Sequence, residues 1–248
     1  MKLLIVTFGY YPRDVEVLSG ELYVGIDTGE IFKIDLTNHE SNTWVLTGTI
    51  TGNVRSLAIY NSQLYAMTVS GNDTRLYRLD EVTGWSLISH ITGSDNRSPQ
   101  GQGITGLTVF DDKLLYMRRN GNSDSLIRSY DGSADEVYLS FATAPDRITV
   151  NWILPVSLDG GSFLLINFEK NPNNSNTIGT TIVYNETKRI RLFGRSYRPY
   201  LFEGLGELYL VSEPFSKLGS SLDNQPVHRL IDDEDNLIFE EVTELESL

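Results

Sequence analysis

The stretch 53–92, NVRSLAIYNSQLYAMTVSGNDTRLYRLDEVTGWSLISHIT, decides the fold. It holds four apolar runs, 54–59, 64–69, 76–79 and 85–88, separated by Asn, Ser, Gly and Asp. Each run is too short, and too rich in β-branched and aromatic residues, for a helix. The stretch therefore reads as four antiparallel strands joined by turns.

The rest of the chain repeats this unit. A Leu-Tyr pair opens the second strand at Leu22-Tyr23, Leu64-Tyr65, Leu115-Tyr116 and Leu208-Tyr209, with a degenerate Leu164-Leu165; the spacings are 42, 51, 49 and 44 residues. An Asp or Asn closes the third strand at Asp35, Asp80, Asp131, Asn185 and Asp232. Its side chain can accept from the backbone of the turn that follows. Two markers in the same order predict strands at 15–18, 21–26, 30–34 and 43–46; then, after the opening stretch, at 104–110, 113–117, 126–130 and 137–141. They continue with 148–156, ended by Pro155, 163–168, 180–184 and 190–193, and with 200–202, 208–212, 227–231 and 237–242.

A period of roughly 40 to 50 residues with four strands per unit suits sheets that bury their faces against neighbours in a radial array. The chain resembles a five-bladed β-propeller, all-β and a single domain over 1–248, with blades near 10–50, 51–92, 100–143, 146–195 and 197–243. The Gly-His and Trp-Asp pairs of WD repeats and the paired glycines of kelch repeats are missing, so the resemblance is to the architecture and carries over no functional residue. One strand is left over near the N-terminus, at 2–7. It is expected to pair with the last blade and close the ring, removing an open edge.

Among the 248 residues there is no Cys, which excludes disulfides and thiolate metal sites. The three histidines, His39, His90 and His228, fall in different units, so no metal and no cofactor is expected. The net charge of -13 opposes binding to phosphate backbones, and nucleic acid is not expected as a partner. Eight of the acids lie in 232–248, which has no Lys or Arg. No apolar run nears the roughly 20 residues of a membrane-spanning helix, and no signal-peptide pattern is present. A cytoplasmic or virion setting is expected.

First-to-second turns are uniformly short, whereas the second-to-third segments 169–176 and 213–226 and the fourth-to-first segment 93–103 are long. All of these long connections belong to one face of the disc, and long loops on rigid scaffolds carry function more often than tight turns do. Near the start of each first strand stands one arginine: Arg13, Arg55, Arg97, Arg147 and Arg198, spaced 42, 42, 50 and 51 apart. Planar guanidinium forks there suit an anionic ligand or acidic partner. The competing reading pairs them with Asp14, Asp95, Asp146 and Glu203 as salt bridges between blades. Tyr10, Tyr11, Tyr197 and Tyr200 lie on the same connections, where rings could stack on a glycan or pack between blades.

Five-bladed propellers include glycoside hydrolases, which need paired carboxylates on the inner strands. The inner segments NVRSLAIY, GITGLTVF and RITVNWIL hold no acid, leaving Asp14, Glu16 and Glu203. The expectation is a non-enzymatic interaction or structural module, a rigid disc in a larger assembly such as a virion or phage tail, binding protein partners or copies of itself. A carbohydrate-binding propeller is the alternative, and a hydrolase ranks behind both.

Overall fold

The computed structural model describes residues 12–37, 43–71, 73–92, 106–118, 126–140, 148–158, 161–170, 179–184, 189–193, 199–204, 207–212, 227–233 and 236–242. The chain forms two compact units, Met1–Ala142 and Thr143–Leu248. The first unit carries β1 (Pro12–Leu18), β2 (Glu21–Ile26), β3 (Glu30–Asp35) and β4 (Val45–Thr49); β5 (Asn53–Tyr60), β6 (Gln63–Ser70), β7 (Asp73–Asp80) and β8 (Gly84–Ile91); and β9 (Leu107–Phe110), β10 (Lys113–Arg118), β11 (Leu126–Tyr130) and β12 (Asp135–Ser140). The second carries β13 (Ile148–Leu158), β14 (Gly161–Lys170), β15 (Gly179–Tyr184) and β16 (Arg189–Phe193), then β17 (Pro199–Gly204), β18 (Glu207–Ser212), β19 (Val227–Asp233) and β20 (Asn236–Val242). Each group of four is one antiparallel sheet with its strands in chain order. The expected closing strand at 2–7 lies outside the described residues, and among those residues no sheet is closed on itself.

Turn chemistry explains the meander. In the β1–β2, β5–β6 and β9–β10 turns, both central residues have positive φ: Ser19 and Gly20, Asn61 and Ser62, Asp111 and Asp112. That is the two-residue geometry whose twist matches the flanking strands. In the first three sheets the acid closing the third strand caps the turn as its position predicts, whereas Asn185 lies outside the described residues and Asp232 pairs with Leu237 inside β19. Asp35 accepts from Thr37 N, Asp80 from Val82 N and Thr83 N, and Asp131 from Ser133 N and Ala134 N. These amide bonds pull the exposed Asp131 carboxyl down to about 2.

Period-two alternation splits β6 between two cores. Leu64 and Ala66 join Tyr23, Ile31, Ile50, Val54 and Leu57 in the seam between the first and second sheets. Tyr65 and Met67 point the other way, into a cluster with Tyr60, Leu107, Leu114, Tyr116 and Tyr130 between the second and third sheets. The sheet formed by 53–91 is therefore covered on both faces, which is why its strands read as continuous apolar runs.

Several strand boundaries depart from the sequence expectation, two of them instructively. Pro155 does not end its strand: it sits inside β13 opposite Leu164. β13 is the edge of its sheet, and an edge strand tolerates a proline whose nitrogen faces off the sheet. Pro12 and Pro199 likewise open the edge strands β1 and β17. β4 lies at Val45–Thr49 instead of 43–46, and its Gly48 is a close packing position. A Cβ there would stand 2.8 Å from the Trp85 ring.

Candidate functional site

In the first unit, one end of the sheets is built where the second-to-third turn of the first sheet meets its connection to β5. Ile50 N donates to Gly29 O at 2.9 Å, and Thr68 Oγ1 donates to Thr51 O at 2.8 Å. Gly29 has φ +92°, and a Cβ on it would come 2.3 Å from Ile50 O and 2.6 Å from Gly52 O. Only glycine allows the two segments this close.

At the same end, the first strands β1 and β5 carry β-bulges, and the bulged residues are arginines. β1 pairs Pro12 with Ile26 and then Asp14 with Gly25, leaving Arg13 without an opposite residue. β5 pairs Val54 with Thr68 and then Ser56 with Met67, leaving Arg55 in the same place. A bulge re-aims the side chain it carries and shifts the alternation beyond it. This is why Val54 and Leu57, three apart, share one core. The position recurs at Asn151 in β13, between the Val150–Phe168 and Trp152–Asn167 pairs.

Arg13 pairs with a carboxylate, and Arg55 lies within electrostatic range of that pair. Arg13 Nη2 lies 3.4 Å from Asp27 Oδ2, at the first residue after β2. Arg55 is half-buried, and its Nε is shielded from solvent without a hydrogen-bond partner among the described residues; Asp27 Oδ1 is in the same condition. Burial, with the neighbouring Arg13 charge added, lowers the Arg55 pKa, while Asp27 opposes the shift. Arg55 thus adds a second guanidinium beside the Arg13–Asp27 pair.

Asp14 does not neutralise Arg13, contrary to the salt-bridge reading of the sequence. The bulge separates their directions, and Asp14 Oδ2 reaches the next sheet, accepting from Leu57 N at 2.8 Å and Ser56 Oγ at 3.1 Å. Its Oδ1 accepts from Val15 N. Burial holds the Asp14 carboxyl above its ordinary value, although those three donors pull the other way. Glu16 beside it is also raised, by burial and then by the Asp14 charge.

The second and third sheets are tied differently. Tyr60 Oη donates to Asp112 O at 2.8 Å. Tyr116 Oη lies 2.8 Å from Asp135 Oδ1 and 3.0 Å from Ser89 Oγ, while Arg128 Nε donates to the same Asp135 oxygen at 2.9 Å. Burial is the main reason the Tyr116 phenol is pushed far up.

Of the residues singled out from sequence, Arg13 and Arg55 are brought together. Arg97, Arg147, Arg198, Tyr10, Tyr11 and Tyr197 lie outside the described residues, and Tyr200 is placed in β17 opposite Val211. Among the described residues no three His, Asp or Glu side chains gather as a metal site, and no helix is long and apolar enough to cross a membrane. Sequence reasoning missed Asp27, Ser56 and Ser89. The signal for the bulge was present: the apolar phase slips between Val54 and Leu57.

No protein-family model and no curated protein matches the chain. Solved structures do match it. The β-propeller domain of the Trilobed protease from Pyrococcus furiosus, which has an open velcro topology, is 13% identical with a TM-score of 0.52, over 93% of this chain and 71% of that one. A protein from Lactobacillus plantarum is 13% identical with a TM-score of 0.57, over 92% and 70%. The N-terminal domain of Nup159 is 12% identical, over 90% and 60%, and its TM-score of 0.46 carries no argument. At these identities the likeness is one of fold: the chain has the β-propeller architecture that its repeats resemble.

Proposed function

We propose that this β-propeller is a non-enzymatic interaction module whose five four-stranded sheets serve as blades of a rigid scaffold for protein partners. The observation that carries the reading is the contrast between the two ends of the sheets in the first unit. At one end two-residue turns join each first strand to its second, and the longest connection there is the segment 36–44 between β3 and β4. The other holds the bulged arginines, and the long connection after β8 leaves from it. Rigid sheets with variable connections at one end are suited to presenting a binding surface. Asp14 supports a structural role for the inner-strand acids, since its carboxylate is engaged by Leu57 N, Ser56 Oγ and Val15 N.

The test is affinity purification of the full chain from its native source, with two variants beside it. One replaces 94–102 with a short Gly-Ser linker; the other changes Asp111-Asp112 to Asn-Gly at the opposite end. A partner lost with the first and kept with the second supports the reading. A partner kept with both, or the discovery of substrate turnover that Asp14→Asn abolishes without unfolding the chain, overturns it.

A further inference from the structure

We infer that Arg13, Arg55 and Asp27 form a receptor for one carboxylate group, the point at which an acidic partner engages the connection end of the first unit. The inference rests on the interaction-module reading and names the chemistry of its contact. Charge is the first ground: Arg13 pairs with Asp27 at 3.4 Å, and Arg55 lies within electrostatic range of both, a second cation beside one carboxylate. The second ground is the unused donor. Arg55 is only half-buried, and its Nε has no partner among the described residues, so the guanidinium keeps hydrogen-bonding capacity that an acceptor can use. The third is position, because equivalent bulges in neighbouring first strands set both side chains, so the pair is held by backbone geometry. The Arg13–Asp27 contact at 3.4 Å is long for a charge-assisted hydrogen bond and offers a weak competitor.

A guanidinium fork matches the two oxygens of a carboxylate. That group can arrive on a Glu or Asp side chain of a peptide or as a small free acid, and both present the same oxygens. Asp27 itself selects for a ligand of modest charge, because its own carboxylate repels a second dense anion.

The experiment is titration calorimetry on the full chain with malonate and, separately, with a capped hexaglutamate peptide, using hexaglutamine as the neutral control. Binding of either acid, with none of the glutamine peptide, is expected. Arg55→Gln should weaken it about tenfold, the equivalent of roughly 1.4 kcal/mol. Arg55→Lys keeps the charge but loses the fork and should fall between. Asp27→Asn removes the competing carboxylate and should tighten binding several-fold, an outcome that a purely structural ion pair does not produce. Binding should weaken between low and physiological salt. Malonate binding as well as the peptide assigns the site to free acids; peptide binding alone assigns it to an acidic segment. Absence of binding by both, or binding unchanged in Arg55→Gln, overturns the receptor. A partner that still docks through this end in Arg55→Gln, while both acids fail, sinks the receptor and leaves the interaction module standing. Malonate binding without any protein partner does the reverse.

Discussion

The sheet formed by 53–91 has two seams, and they are held by different chemistry. Toward the first sheet, the inner edge is fastened by a carboxylate: Asp14 accepts from Leu57 N and Ser56 Oγ. Behind it pack Ile31, Val54, Leu57 and Leu64, with Tyr23 and Tyr77 in the same cluster. Toward the third sheet the fastening is phenolic, through Tyr60 on Asp112 O and Tyr116 on Ser89 and Asp135, over a core with four tyrosines. The difference teaches that one repeat supports two kinds of latch. The backbone fixes where sheets meet, and the side chains decide how the seam responds to pH.

Truncating the two cores gives the largest test. Tyr65→Ala should cost about 4 kcal/mol and Leu57→Ala about 3 kcal/mol in urea unfolding, from lost burial plus the cavity left behind. Equal costs would mean that the seam toward the third sheet is no stronger than the one toward the first. Next comes the carboxylate latch. Asp14→Ala leaves the Leu57 N–H without its acceptor and should cost about 2 kcal/mol, whereas Asp14→Asn retains an acceptor oxygen and should cost less than about 1 kcal/mol. On the other seam, Tyr116→Phe removes a bond to a charged acceptor that Arg128 and Ser89 still satisfy. A cost of about 1.5 kcal/mol is expected, and a neutral result would assign the seam to packing alone.

A pH series separates the seams further. The folded-state pKa of Asp14 is raised, so the folded chain binds its proton more tightly than the unfolded chain does. Its contribution is fully present below the unfolded pKa of about 3.9 and is lost as pH rises through the folded value. Melting temperatures of wild type relative to Asp14→Asn should therefore rise as pH falls from neutral into the carboxylate range. A flat difference would place Asp14 in solvent. The smallest effect belongs to Asp131, whose pKa is lowered to about 2 by turn amides. Its stabilisation is present above the unfolded value and is lost as pH falls toward about 2, so Asp131→Ala should lower the melting temperature slightly at neutral pH and not at all in strong acid.

The sequence by itself determined the strands, their order and the turns. Alternation, turn residues and the Asp that closes the third strand in the first three sheets are local signals, each acting within a few residues of where it is read. They also placed an arginine at the start of the first strands. What only tertiary structure decided is direction and partnership. Arg13 and Asp14 are adjacent in the chain, yet the bulge sends one to Asp27 and the other to Leu57 of the next sheet. Pro155 reads as a stop, yet it continues an edge strand. A one-residue bulge reverses every side chain beyond it, and pairing across 14 or 43 positions depends on how sheets stack. Neither is written in the spacing of neighbouring residues, because both are set by packing between segments that are distant in the chain.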